Sequence, residues 1–365
     1  MIEKRIAISL LDDSEIHLVN NFFNGINKTN RSDEDFIWLF QTPPAGKSIY
    51  VAAKDLDTQK IIGTQCAIPI NLITLKGETI LTAKSEDTLL DPNYRGLRIF
   101  DRMYQLLFEE CEKRGIKYIW GFTSAQKPFL KLGFEIQYDH SQSLMVRDII
   151  LSYRYLSNLH PKKNLVSKIK MLSLCTISKF KATKRHINHV KEISKYSIQV
   201  NDKSAVLDIS NLLVNDNSNY FLIKQDKDYL TWRLVKNTCH KKIFNVYFMM
   251  DSDIKGNIVF NYHRDGVWYL INDIYSNEVS EAEKTEMFRK AIDLLIEQEN
   301  MNFSLLRTWD FSHNEYARRE ISRRSAVGLI HLDRGISFVW KSLDKENSLN
   351  VKNFILSRIA SQGII

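Results

Sequence analysis

The segment "DEDFIWLF" (Asp33 to Phe40) has a degenerate second copy, "DKDYLTWRL" (Asp226 to Leu234). In each, two acids flank one residue, and an aromatic, an aliphatic residue and a Trp follow. The order of what comes next also repeats. A β-rich run ("SIYVAAKD", "FNVYFMMD") leads through a polar turn to a further strand ("KIIGTQCAIPI", "KGNIVFNYH"). A strand carrying an acid follows ("SEDTLL", "INDIYS"), then a helix, a short strand ("KYIWGF", "FSLLRTW"), a second helix and a last strand pair. A repeat on this scale predicts two similar domains rather than one continuous core. The length agrees, since 365 residues exceed most single cores. Strands grouped ahead of a strand–helix–strand unit predict an α/β class, with an α+β mixed sheet and one parallel step in each copy. A ligand crevice belongs where that parallel pair splits.

Between the copies lies a basic arm. From Arg154 to Lys195 it carries Lys162, Lys163, Lys168, Lys170, Lys179, Lys181, Lys184, Arg185 and Lys191 against the single acid Glu192. Leu165, Ile169, Leu172, Leu174, Ile177 and Phe180 are interleaved. The pattern predicts a helical connector with one basic face: a solvated interdomain arm, a phosphate-facing wall or a weak anchor to an anionic surface. No RNA-binding motif of glycines and aromatics accompanies it. The expected domains are 1–150, the arm 151–199, and 200–365. The net charge of +8 favours anionic partners without choosing among them. Cys66, Cys111, Cys175 and Cys239 form no C-x-x-C pair, which fits a reducing cytoplasm and no zinc knuckle. His186 and His189 share a helix face in the arm, but their basic surroundings read as solvated, so no metal is expected. The opening "MIEKRIAISLLDDSE" does not read as a secretory signal, and no stretch is apolar enough to span a bilayer.

The stretch "LLDPNYRGLRIFDRM" (Leu89 to Met103) carries the sharpest local signal. "ETILTAKSEDTLL" alternates as a strand, and Asp91 and Pro92 stop it. Ile99, Phe100, Met103, Leu106, Leu107 and Cys111 then recur at helical spacing, with Gly115 as a left-handed cap. Gly96 sits at the helix start, so a ligand can approach the main chain closely. The free N–H groups of the first turn, flanked by Arg95 and Arg98, form an anion site.

"DPNYRGLRIF", followed by "GIKYIWGFTSAQKPFLKLGFE", resembles the acyl-coenzyme A loop and following segment of the GNAT N-acyltransferase superfamily. The duplicated layout is similar to the tandem members of that fold. The resemblance implies an acyl-coenzyme A donor held by Leu89, Leu90, Arg95, Gly96, Leu97, Arg98, Ile99, Phe100 and Ser124, with an oxyanion-stabilising N–H from the strand around Leu89–Leu90. The overall pattern also resembles bacterial acyltransferases that modify nucleotide-linked amino sugars for surface polysaccharides, which implies such a sugar's amine as acceptor. Three positions depart from the family pattern. Asn93 stands three residues before the loop Gly, Arg98 stands where a Gly or Ala is usual, and Phe129 stands where a Tyr often protonates the leaving thiolate.

Acyl transfer to an amine needs a general base. Glu86 and Asp87 lie on the strand just upstream and alternate faces, so one is expected in the cleft. The face shared by Glu86, Lys84 and Thr88 favours Asp87. The competing reading pairs one of them with Lys84 and leaves neither catalytic. In the second copy the loop position reads "SNEVSEAEK" (Ser276 to Lys284), with no Gly and three Glu, so it should not bind coenzyme A. Asp273 aligns with Asp87 as a relic of the repeat. Trp309, Asp310, His313 and Asn314 near a strand end are the candidate acceptor-binding residues: Trp for stacking, the polar groups for hydroxyls. For each of these, a buried Trp with capping polar residues is the plainer reading. Two rivals accompany the acyltransferase reading. One is a tandem-GNAT aminoacyl transferase using charged tRNA, and the other is an inactive ligand-binding or scaffold protein.

Overall fold

The computed structural model describes residues 5–159, 164–184, 193–201, 206–213, 219–238, 242–299, 303–333, 335–344 and 349–360. His186, His189 and Cys239 lie outside them. The first half runs β1 (Ile6–Leu10), α1 (Ile16–Asn27), α2 (Asp33–Phe36), β2 (Ile49–Asp55), β3 (Lys60–Thr74), β4 (Thr79–Leu90), α3 (Ile99–Lys113), β5 (Tyr118–Thr123), α4 (Gln126–Lys131), β6 (Glu135–Asp139) and β7 (Ser141–Val146). The connector holds α5 (Ile149–Asn158) and α6 (Leu165–Lys184). The second half runs β8 (Ser197–Asn201), β9 (Phe221–Ile223), α7 (Lys227–Leu230), β10 (Ile243–Met250), β11 (Asp253–Tyr262), β12 (Val267–Tyr275), α8 (Glu281–Glu299), β13 (Leu305–Asp310), α9 (Glu315–Ala326), β14 (Ile330–Leu332), β15 (Ser337–Ser342) and β16 (Phe354–Ile355). Apart from β9 standing in place of α1 and the additional β16, the element order repeats as the sequence predicts.

The repeated Trp segments meet. Ser32 and Asp226 cap α2 and α7 with their side chains, and each short helix runs into a π-turn, Ile37–Gln41 and Thr231–Val235. Trp38 Nε1 donates to the Trp232 carbonyl at 2.7 Å, and Trp232 Nε1 donates to the Trp38 carbonyl at 2.7 Å. This reciprocal pair is what a pseudo-twofold relation between two copies requires.

Each half was expected to close with its own last strand pair. The two halves instead exchange strands. The first sheet has the order β1-β2-β3-β4-β5-β15-β6, with β9 on β3 and β16 on β9. The second has β14-β7-β13-β12-β11-β10-β8. So β15 sits between β5 and β6, and β7 sits between β13 and β14. The physical reason is the linker. Only His140 separates β6 from β7, and one residue cannot reverse the chain into a hairpin. The chain runs straight on into the other sheet. His140 N–H donates to the Ile336 carbonyl at 3.1 Å, and Ile336 N–H donates to His140 Nδ1 at 2.8 Å, which ties the two crossings together.

The core follows from this arrangement. Ile49, Val51, Met103, Leu107 and Val339 fill the space between the first sheet and α3. Phe244, Val246, Met287, Ile292 and Leu295 do so between the second sheet and α8. A third cluster, with Trp38, Trp232, Trp120, Phe221, Trp340 and Phe354, is shared by both halves.

Candidate active site

β4 and β5 pair in parallel only over Thr82–Lys84 with Tyr118–Trp120. Beyond that they splay, and a cleft of 840 Å³ opens between them and the start of α3. A bulge in β4 shapes its wall: Thr64 faces Leu89 while Cys66 faces Glu86, so β4 carries an extra residue. Asp87, at φ 48°, takes up the irregularity, and Thr64 Oγ1 donates to its carbonyl at 2.7 Å. Past the bulge, Asp91 N–H donates to the Ile62 carbonyl on β3. By strand alternation the Leu90 N–H then points away from β3, into the split.

The strand stops at Leu90, and Asp91 caps a short 3-10 turn, Pro92–Tyr94. α3 starts at Ile99, and its first internal bond runs from Arg102 N–H to the Arg98 carbonyl. The N–H groups of Ile99, Phe100 and Asp101 therefore have no partner within the helix. Gly96 adopts φ 85°, and a Cβ there would meet nothing within 4 Å. Arg98 also takes a left-handed conformation, at φ 56°. Its side chain is 84% exposed and lies 3.5 Å from Asp101, so it leaves the loop open. Arg95, Gly96, Arg98, Ile99, Phe100 and Ser124 all line the cleft. At the far end of α3, Gly115 at φ 72° ends the helix, with Ile116 N–H bonded to the Cys111 carbonyl.

Asp87, the preferred base in the sequence reading, lines the cleft and is held there by two partners. Its Oδ2 accepts from Arg31 Nη1 at 2.5 Å and from Tyr50 Oη at 2.8 Å, and its side chain is 2% exposed. A carboxylate held this way anchors the α1–α2 segment to β4. Burial, with Asp87 beside it, raises the Tyr50 phenol well above its usual range. Glu86 is more open, at 20% exposure, and forms an ion pair with Lys84. Burial, reinforced by Arg233, pushes the Lys84 ammonium well below its usual range.

Phe129 is buried and packs on Tyr104 at 5.7 Å between ring centroids. The Tyr104 hydroxyl, from α3, lies 2.9 Å from Ser85 Oγ and 3.4 Å from Thr88 Oγ1. Both of those residues line the cleft. Burial keeps this phenol protonated far above its ordinary range. Sequence reasoning missed Tyr104 and Arg31, because each acts through a distant partner and neither sits in a motif.

Three of the four acceptor-site candidates have their polar groups engaged within the protein. Asp310 is fully buried and bonds to Arg324, Ser143 and His331. Asn314 caps α9 by accepting from Ala317 N–H at 2.8 Å. His313 stacks on Tyr138 at 3.7 Å, with Nε2 2.9 Å from the Phe354 carbonyl. Burial lowers its pKa to about 4. Trp309 alone borders the cleft, packing edge-on against the cleft residue Phe122 at 5.0 Å.

Beyond Trp309 lies a group of cations. Arg358 stands 4.9 Å from the Trp309 ring and 3.9 Å from the Tyr269 ring. Arg307 donates to Tyr269 Oη at 3.1 Å and to Gln142 Oε1 at 2.6 Å, and the Tyr155 and Tyr269 hydroxyls are 2.9 Å apart. Arg264 lies 5.9 Å from the Tyr155 ring and pairs with the exposed Asp265 at 4.0 Å. Burial first, and then these three arginines, push the His263 pKa down to about 4.

The second half has the same split and fills it. β12 and β13 pair over Val267–Tyr269 and Leu305–Arg307 and then separate. Arg324 bridges them, at 2.6 Å to Asp273 and 2.6 Å to Asp310. Arg323 adds contacts to Asp273 and Glu281. Asp273 is thus one wall of a buried ionic plug in the position that is open in the first half. Among the described residues, no group of three or more His, Cys, Asp or Glu could hold a metal ion.

The sequence matches no protein-family model and no curated protein. Solved structures do match the fold. A conserved protein of unknown function from Enterococcus faecalis, described as a probable N-acyltransferase, aligns over 93% of this chain and 73% of its own, at 10% identity and TM-score 0.60. A tandem GNAT protein from the clavulanic acid biosynthesis pathway aligns over 94% of this chain and 100% of its own, at 10% identity and TM-score 0.58. A GCN5-related N-acetyltransferase from Anabaena variabilis aligns over 93% and 73%, at 10% identity and TM-score 0.58. The architecture is therefore the tandem GNAT fold: two GNAT-like domains in one chain.

Proposed function

We propose that the chain is an acyl-coenzyme A-dependent N-acyltransferase acting on the amine of a nucleotide-linked amino sugar. The observation that carries the reading is the asymmetry of the two splits. The first is an open cleft with free helix-start N–H groups and Gly96 at its rim. The second is closed by Arg324, Asp273 and Asp310. The pyrophosphate of coenzyme A fits the first site, where unpaired N–H groups meet Arg95 and Arg98. When bound, the donor supplies its acyl group as a thioester.

The chain's own residues take the remaining roles. Glu86, on the cleft wall, receives the proton of the attacking amine, and Asp87 holds the wall through Arg31. The Leu90 N–H stabilises the developing oxyanion. The hydroxyl cluster of Tyr104, Ser85 and Thr88 supplies the proton that Phe129 cannot. Behind Trp309 lie the buried Arg358 and the half-buried Arg307, with the exposed Arg264 farther out, and a phosphate-bearing acceptor that extended past Trp309 would meet Arg264. This cluster supports a sugar joined to a nucleotide over a neutral amine. The described cysteines Cys66, Cys111 and Cys175 are free and buried, which suits a reaction in the cytoplasm.

A thermal-shift titration tests the donor site. At a hundred times its dissociation constant, coenzyme A should stabilise the protein by about 2.7 kcal/mol, or several degrees. Gly96→Val, which forces a β-branched residue into φ 85°, should abolish that shift. Free thiol released from acyl-coenzyme A only when a nucleotide-linked amino sugar is present would establish the acceptor class. No release with any such sugar would refute it.

A further inference from the structure

α6 has two apolar faces, and only one is used. Met171, Cys175, Ser178 and Ala182 are buried against the body of the protein. Leu165, Val166, Ile169, Leu172, Ile177 and Phe180 are between 45% and 72% exposed. At about 100° per residue, these six project within an arc of about 140°, on the side away from the buried four. Ser173, Thr176 and Thr183 share that arc, and the two threonine hydroxyls are turned back onto the Leu172 and Lys179 carbonyls. Among the described residues, the other large exposed apolar side chains lie on other elements, with Ile150, Leu151 and Leu159 on α5 or at its end.

From Leu165 to Lys181 the charges on the helix are arranged around that stripe. The same helical projection puts Lys168 and Lys179 along one edge and Lys170 and Lys181 along the other. The helix contains no acid from Leu165 to Lys184. Lys179 donates to the Arg147 carbonyl and Lys181 to the Leu329 carbonyl, so both edges are fixed to the protein body. Lys168 and Lys170 are exposed.

From this geometry we propose that α6 docks the protein on an anionic lipid surface, with the apolar stripe at the level of the acyl chains and Lys168 and Lys170, one at each edge, against the headgroups. A flat bilayer accepts a stripe flanked on both sides by cations, because the stems of Lys168 and Lys170 lie along apolar surface while their ammonium groups reach phosphate. A second copy of the chain fits poorly. Face-to-face packing of two acid-free helices would set lysine rows against each other. Among the described residues no helix is long and apolar enough to cross a membrane, so the contact is peripheral. This inference stands independently of the catalytic reading.

Co-sedimentation of the full chain with vesicles tests it, comparing pure phosphatidylcholine with phosphatidylcholine containing phosphatidylserine as the minority lipid. Binding should occur only with the anionic vesicles and should fall as salt rises. Ile169→Glu together with Ile177→Glu should abolish it. Both sites are exposed, so the melting temperature should stay close to that of the parent. Lys168→Gln with Lys170→Gln should weaken binding about 25-fold, since each lysine near an anionic surface is worth roughly fivefold. Absence of binding by the parent chain would overturn the proposal, as would binding that ignores these substitutions. So would a lipid-free dimer that Ile169→Glu dissociates, which would assign the stripe to a second copy.

Discussion

Phe129 occupies a position beside the cleft where a hydroxyl would be useful, and its ring rests on Tyr104, which has one. The phenol reaches Ser85 and Thr88 from behind the cleft wall. If this cluster protonates the leaving thiolate, Tyr104→Phe should lower kcat by about a hundredfold or more, within the range of general acid catalysis, and leave the donor KM unchanged. The loss should also alter the alkaline limb of the pH–rate profile. Phe129→Tyr placed in that background should restore part of the rate. Unchanged kcat in Tyr104→Phe at every pH would reduce Tyr104 to a packing residue. The same scale separates Glu86 from Asp87. They are neighbours in sequence, but a bulge and a buried arginine give them different work.

At the scale of elements, the contrast between the β4–β5 and β12–β13 splits leaves the first half open and the second closed. Two buried arginines of α9 close the second split: Arg324 joins β12 to β13 and Arg323 joins β12 to α8, and Glu320 of the same helix lies buried beside Arg324. Burial raises the Glu320 pKa from its ordinary 4.5 to about 8. The folded state thus keeps a proton that the unfolded chain releases. The stability this group contributes is full below about pH 4.5 and is lost as pH rises through about 8. Glu320→Gln, which stays neutral, should flatten the dependence of melting temperature on pH across that window. An unchanged slope would place the titration elsewhere in the plug.

At the scale of the whole molecule, the strand exchange makes the two halves dependent on each other. β15 completes the first sheet with Phe338, Val339 and Trp340, all buried, while Val339 faces α3 and the other two join the shared core. The protein should therefore melt in one transition, with calorimetric and van't Hoff enthalpies equal, although two domains of this size commonly melt separately. A chain ended after Leu332 retains almost all of the cleft but loses the strand between β5 and β6. It should lose both cooperative melting and the coenzyme A shift. Retention of the shift would show that the first half folds without its partner's strand.

What the sequence by itself determined lies within short range. The stop at Asp91 and Pro92, the start of α3 at Ile99, its glycine end at Gly115 and the repeated Trp segments all follow from alternation, helical spacing and capping, which neighbouring residues set. The lack of a donor loop in the second half is equally local, since Ser276–Lys284 has no glycine and is acidic. Only the tertiary structure decided the rest. Asp87 is paired because Arg31, 56 residues earlier, folds onto it, and Trp38 meets Trp232 across 194 residues. The crossing of β7 is encoded in a single residue between two strands, whereas four residues separate β14 from β15, so the crossing of β15 depends on the open slot in the other sheet. Partners so far apart in the chain leave no periodicity to read. They meet because two incomplete sheets each bury apolar surface by accepting a strand from the other.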